Sequence, residues 1–221
     1  MGLALVVGFL ADIKDQSDKF LPRASEWFAT LNRCLDAAGV GTFQEPIDLP
    51  RTARFSCDMF GYSGLHHLRR LAAYVALGET LYRPGSDLPE SEPTIDRYYE
   101  IVGEGNRSDL PFQHLMLHGD AEGFYVPLDF ARVIDPGDLS EELCGAIGSA
   151  HQLLKECKTL SGVLELPDSM DYNSEQLWNA AGNPGHGDAK WQQWGIEAFT
   201  CIRLTRACER ALEVGAAVVF C

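Results

Sequence analysis

The chain lacks the long hydrophobic run that would cross a membrane. Its longest N-terminal apolar run, residues 3–10, has about eight residues, whereas a spanning helix needs roughly 20. No basic segment precedes this run, and Asp12, Lys14 and Asp15 follow it, which is not the pattern of a signal peptide. We therefore expect a cytoplasmic protein.

Several chemical motifs are also absent. There is no phosphate-binding P-loop and no GxGxxG, so nucleotide binding by the common routes is not predicted. Ser63 lies between Gly61 and Gly64, but the second glycine is one position too early for a nucleophile elbow, and helix capping explains Ser63 better.

The cysteines do not form a metal motif. There are seven, an odd number, and no CxxC occurs, so we expect reduced and mostly buried thiols. The seven are Cys34, Cys57, Cys144, Cys157, Cys201, Cys208 and Cys221.

Positive charge is scarce. The chain has 18 lysines and arginines against 32 aspartates and glutamates, a formal charge of −14, and a sequence pI of about 4.7. Such a surface repels nucleic acids and anionic membranes, and the one compact basic run, Arg69 and Arg70, is too short for a nucleic-acid footprint. A basic protein partner is compatible with this charge.

Two continuous apolar runs predict the centre of the fold. Residues 3–10 and 216–220 have the length and composition of strands buried on both faces, and we expect them side by side. The fold class predicted is α/β or α+β: a central mixed β-sheet of about four to six strands that includes the N- and C-terminal strands, with helices packed on it. The 221 residues are expected to form a single domain, 1–221, with a mobile surface loop at 79–93, which is rich in proline and acids.

Helical periodicity is clear in the rest of the chain. In the last helix, 189–214, Gly195 predicts a close contact or a bend, and Arg203 is expected on a solvated stripe. In the helix at 64–77, we expect His66, His67, Arg69 and Arg70 on the side away from the core. The helices predicted are 18–38, 64–77, 94–102, 148–159, 175–181 and 189–214.

The segment 110–130 combines core-like apolar residues with chemistry-bearing ones. We predict a β-hairpin around 112–128, turning at 119–123. His114, His118 and Asp120 then share one strand face, which is a possible ligand set for a divalent metal such as Zn, with Glu122 as the general base of a hydrolase. No general base lies beside the first histidine, as it does in the HExxH motif.

Other interpretations of this segment stay open. The histidines can instead be structural groups that hydrogen-bond to neighbouring backbone. Asp120, Glu122 and Asp129 could hold a hard cation, but EF-hand spacing is absent, and Asp120 can simply cap the turn.

Three phrases carry a resemblance to known proteins. Residues 57–73 (CDMFGYSGLHHLRRLAA), 114–130 (HLMLHGDAEGFYVPLDF) and 194–220 (WGIEAFTCIRLTRACERALEVGAAVVF) resemble an uncharacterised family of bacterial cytoplasmic proteins that has no established activity. As a small acidic protein, the chain is also similar in type to the immunity proteins of bacterial toxin systems. The resemblance implies no catalytic residues.

Two functions follow from these observations. The first is a non-catalytic acidic protein that binds a basic protein partner, plausible as an immunity-type protein, with no cofactor. The second is the metal-dependent hydrolase with the His114, His118 and Asp120 site. The oligomeric state is not predicted.

Overall fold

The fold is organised around a central β-sheet. A computed structural model describes residues 3–17, 19–103, 110–119, 122–137 and 145–221. In these ranges the sheet has five strands: β1 Ala4–Val7, β2 Phe55–Asp58, β3 Phe124–Val126, β4 Ile147–Ser149 and β5 Val218–Phe220.

Helices cover both faces of this sheet. They are α1 Phe9–Gln16, α2 Leu21–Ala37, α3 Gly61–Ala76, α4 Pro93–Gly103, α5 Gln113–Met116, α6 Ala150–Leu164, α7 Glu175–Gly182, α8 Lys190–Gln193 and α9 Gly195–Val214, with a short 3-10 turn at Arg51–Ala53. None of the helices in the described ranges has the length and apolar character that crossing a bilayer requires.

The two terminal strands are neighbours, as predicted. The sheet order is β2-β1-β5-β3-β4, and β1 pairs antiparallel with β5 in the register Leu5↔Phe220 and Val7↔Val218. β3 pairs antiparallel with β5 and parallel with β4. The fold class is therefore confirmed as a mixed α+β sheet with helices packed on it.

Alternation along the strands divides the core in two. Val218 and Phe220 face the larger cluster, with α3, α6 and α9. Val219 faces the smaller cluster, where Phe28 and Leu31 of α2 pack against the sheet. Because both faces are covered, the central strands are apolar at successive positions.

The predicted hairpin around 112–128 is wrong in its first half. β3 is a strand, but Gln113–Met116 is the helical turn α5, and β3 takes its partners from β4 and β5. A distant carboxylate explains the turn: Glu156 of α6 accepts the backbone N–H groups of His114 and Leu115 at 2.9 and 2.8 Å. These are donors that the start of a helix leaves without partners.

The last predicted helix is broken at Gly195. α8 ends at Gln193, Trp194 has φ −96° and ψ 47°, and α9 begins at Gly195. The Cα of Gly195 lies directly against the backbone carbonyl of Ala180 in α7, where a Cβ would have no room. Both expectations for this glycine, a close contact and a bend, are met.

Two predicted solvent-facing stripes are partly buried. Arg203 of α9 is only 1% exposed, and His67, Arg69 and Arg70 of α3 are buried. Each has polar or aromatic partners far along the chain, which local periodicity does not reveal.

Segment 79–93 is attached to the core at several points. Glu92 forms an ion pair with Arg70, and the guanidinium of Arg70 lies 3.7 Å from the ring centroid of Tyr82. The Tyr82 hydroxyl donates to Glu197 at 2.8 Å. The mobility of this segment and the single domain stay predictions.

Candidate functional site

His114 is buried at α5 with one ring nitrogen already engaged. Its Nδ1 accepts the backbone N–H of Ser149 at 3.0 Å, and its own carbonyl accepts the Tyr125 hydroxyl at 2.9 Å. Burial lowers the pKa of His114 to about 4. The imidazole is therefore neutral at pH 7, and its tautomer carries the proton on Nε2.

His118 is also held by the backbone around it. Its ring stacks on Tyr125 with centroids 4.0 Å apart, Nε2 lies 3.2 Å from the Phe124 carbonyl, and Nδ1 lies 3.3 Å from the Gly119 carbonyl. Burial lowers its pKa to about 4. Both rings thus contact backbone groups, while the buried Nε2 of His114 has no hydrogen-bond partner among the described residues.

The carboxylates predicted beside these histidines are not gathered around them in the described structure. Asp120 lies outside the described residues. Glu122 is exposed, and Asp129 pairs with Lys155 at 3.7 Å. Within the described ranges, no group of three His, Cys, Asp or Glu side chains could hold a metal. The His114, His118 and Asp120 metal site stays a prediction, and the hydrolase has no support from the described contacts.

The buried Arg69 and the half-buried Glu156, which sequence reasoning did not place near this segment, hold α5 in place. Arg69 donates to the carbonyls of Leu115, His118 and Gly119 at 2.8, 2.7 and 3.0 Å, while Glu156 caps the start of α5. Charges of these signs complement the two ends of a helix. The position of Glu156 beside Cys157, on the apolar side of its helix, could have indicated its burial. Nothing in the sequence around Arg69 indicates its burial.

A different surface has several exposed negative charges that form no ion pairs in the described structure. Helix α4 buries Thr94, Tyr98 and Val102 on one side, which leaves Asp96 and Glu100 on the opposite side, one turn apart. Two further exposed acids, Asp87 and Glu90, precede this helix. We call these four residues the acidic α4 surface: Asp87, Glu90, Asp96 and Glu100.

The acidic α4 surface keeps its charge exposed. In the described structure none of its four carboxylates forms an ion pair, although Ser91 donates a hydrogen bond to Asp96 at 3.4 Å. The nearest base along the helix, Arg97, is paired with Glu79 at 3.2 Å. Adjacent like charges one turn apart destabilise a helix, so this arrangement is unfavourable for folding by itself.

Comparison with known proteins places the chain in a family. The model of a family described as "Putative DNA-mimic protein" matches residues 1–220. The chain belongs to this family. No curated protein matches, and no solved structure matches. The DNA-mimic family description fits an acidic protein that binds a basic partner without catalysis of its own, which agrees with the first of the two predicted functions.

Proposed function

We propose that this protein binds a basic DNA-binding protein and occupies the surface where that protein would contact DNA. The observation that carries the proposal is the exposed, unpaired acidic α4 surface on a chain of charge −14 that belongs to the DNA-mimic family. A partner that binds DNA presents lysines and arginines to phosphates. Carboxylates at similar spacing can satisfy the same side chains.

The spacing on α4 supports this proposal. Residues four apart on a helix are separated by about 6 Å along its axis. Two successive nucleotide steps on one DNA strand rise by about 6.8 Å. Along the helix axes, Asp96 and Glu100 are therefore spaced by nearly the same rise as alternate phosphates of one DNA strand.

The contacts that attach this surface to the rest of the fold also support it. Tyr98 of α4 is fully buried and donates to the Pro111 carbonyl at 2.7 Å, and Thr94 donates to Glu79 at 2.9 Å. The segment before the helix is held by the ion pair of Glu92 with Arg70. A pre-organised array of charges loses less entropy on binding than a flexible acidic tail.

The experiment begins with capture of partners at low salt. The immobilised chain is incubated with cell extract, retained proteins are identified, and each is purified and tested by fluorescence anisotropy on a labelled DNA duplex. We expect a retained protein to bind DNA, this chain to displace that DNA, and affinity to fall as salt is raised.

Two matched variants then test the surface. One neutralises the acidic α4 surface by Asp87→Asn, Glu90→Gln, Asp96→Asn and Glu100→Gln. The control neutralises four scattered exposed acids by Asp36→Asn, Glu122→Gln, Asp168→Asn and Asp188→Asn. We expect at least about a tenfold loss of affinity in the first variant only.

Other outcomes separate the alternatives. Equal losses in the two variants would show that net charge acts without a specific surface. If the retained protein is a basic toxin, and DNA does not displace it from this chain, DNA mimicry is contradicted and the immunity-type function is favoured.

A further inference from the structure

A groove between α1 and α2 lies on the opposite side of the sheet from the α3–α6–α9 layer. It has a volume of about 290 Å³ and is walled by Phe9 and Ile13 of α1 and by Ala24 and Trp27 of α2. The rings of Phe9 and Trp27 stack with centroids 6.0 Å apart. The groove is therefore a preformed apolar recess, which the proposed DNA-mimic function does not use.

An exposed aromatic side chain stands on the rim of this recess. Phe20 immediately precedes α2 and is 62% exposed, more than any other large hydrophobic residue in the described ranges. Phe20, Ala24 and Trp27 follow one another at helical spacing along one stripe. The same face thus has both a projecting apolar group and a recess beside it.

Two opposite charges lie on the same turn of α2. Arg23 lines the groove, Glu26 lies three residues further on, and both are exposed. Neither forms an ion pair with another described residue, although most charged residues of α1, such as Lys14 and Asp15, have one. The face therefore has an unused positive and an unused negative charge together.

We propose that this face is a two-fold interface between two copies of the chain. Suppose that two α2 helices cross antiparallel, with the two-fold axis between residues 24 and 25. Arg23 of each copy then lies opposite Glu26 of the other copy. Phe20 of each copy then lies opposite Ala29 of its partner, beside the end of the partner's groove that Trp27 forms. A two-fold interface must be self-complementary in this way.

A second copy explains the face better than an unrelated partner does. An unrelated helix would need the apolar recess alone, or one sign of charge. Here the projecting Phe20 and both charges occur within residues 20–27, beside the recess between α1 and α2, so the surface complements itself without any further group.

The test is the association state in sedimentation equilibrium, with single and paired charge reversals. We expect the wild type to dimerise at micromolar concentration and Phe20→Glu to weaken the dimer roughly 30-fold or more. Arg23→Glu and Glu26→Arg should each weaken it about tenfold, because each places like charges face to face. The double variant Arg23→Glu/Glu26→Arg should restore the dimer.

Controls separate this proposal from net-charge effects and from the proposed function. Arg83→Glu makes the same charge change on an exposed arginine near the opposite layer and should leave the dimer intact, as should neutralising the acidic α4 surface. Circular dichroism confirms that each variant is folded. A wild type that stays monomeric at high micromolar concentration, a Phe20→Glu variant that stays dimeric, or a double variant that is not restored would each overturn the proposal.

Discussion

At the scale of single residues, Arg203 is the least expected feature. Its guanidinium lies 3.6 Å from the ring centroid of Phe199 and 4.8 Å from that of Trp178, with one hydrogen bond to Asn173 at 3.2 Å. Among the described residues, its Nε and Nη1 have no hydrogen-bond partner and no carboxylate forms an ion pair with it. Burial lowers its pKa. Stacking on the rings offsets only part of the desolvation.

We therefore expect Arg203→Met to be within about 1 kcal/mol of the wild type in unfolding free energy, or more stable. The matched variant is Arg69→Met, which removes an equally buried arginine but leaves three backbone carbonyls without their donor. That variant should lose about 3 kcal/mol. Urea denaturation at pH 7 measures both, and a comparable loss in Arg203→Met would mean that Arg203 is a net stabilising group.

Glu45 makes stability depend on pH. Burial raises its pKa to about 8, although the Ala217 N–H donates to it at 2.8 Å, and burial raises the pKa of Glu156 to about 7. Below their unfolded value of 4.5 both are protonated in either state. As pH rises above 4.5 the unfolded chain loses these protons first, so stability falls until pH passes the folded values.

The buried histidines act in the opposite direction at lower pH. His114 and His118 have folded pKa values of about 4 against 6.5 unfolded, so their contribution grows from pH 4 to pH 6.5 and is then complete. Of these four groups, only the two glutamates still contribute a pH dependence between pH 6.5 and 8. We expect unfolding free energy to fall there by roughly 1 kcal/mol per pH unit and to fall less in Glu45→Gln. If the unfolding free energies of the wild type and of Glu45→Gln change equally with pH across this range, the assignment to Glu45 is contradicted.

At the scale of elements, local pattern predicted the longer helices and the two central strands, but not the short helices α1 and α5. The runs 3–10 and 216–220 both contain a central strand, because a strand buried on both faces is apolar at successive positions. The first run was predicted as a strand for too long: β1 ends at Val7, and Phe9 and Leu10 belong to α1. Ser149, a residue type that favours the N-cap position, accepts the Gln152 N–H at the start of α6. These features depend on neighbours in sequence.

The parts that could not be predicted depend on distant partners. α5 forms because Glu156 and Arg69 hold its two ends, about 40 and 50 positions away in sequence. The burial of Arg203 and Arg69 likewise depends on rings and carbonyls from other elements. The acidic α4 surface was visible only as composition, because which of its carboxylates stay unpaired is a property of the folded chain.

Close packing of α7 against α9 gives a prediction for Gly195. In an unhindered helix, replacing glycine with alanine stabilises by about 1 kcal/mol. At Gly195 the new Cβ would overlap the Ala180 carbonyl, so we expect Gly195→Ala to lose about 2–3 kcal/mol. A Cβ added at Gly162 in α6 would have no neighbouring atom within 4 Å. Gly162→Ala should therefore gain up to about 1 kcal/mol of stability. Chemical denaturation of the pair measures this; similar values for both would mean that α7 moves aside.

At the scale of the whole molecule, charge opposes folding and favours binding. A chain of −14 repels itself in the compact state, and the acidic α4 surface adds local repulsion between Asp96 and Glu100. Salt screens this repulsion, so the unfolding free energy should rise with ionic strength. The same salt should weaken association with a basic partner, so stability and affinity should respond to salt in opposite directions.

The variant that neutralises the acidic α4 surface tests whether this repulsion is localised. We expect it to be more stable than the wild type at low salt, by about 0.5–1 kcal/mol, and to lose part of that advantage at high salt. The scattered control variant removes the same total charge and should gain less, because its four acids are not neighbours along a helix. Unfolding free energies of all three proteins at low and high salt give the comparison.

If the α4 variant gains stability while losing partner affinity, the exposed carboxylates are kept at the expense of the fold, as expected for a binding surface. If it gains nothing, solvent screens the four carboxylates from one another, and keeping them exposed does not destabilise the fold.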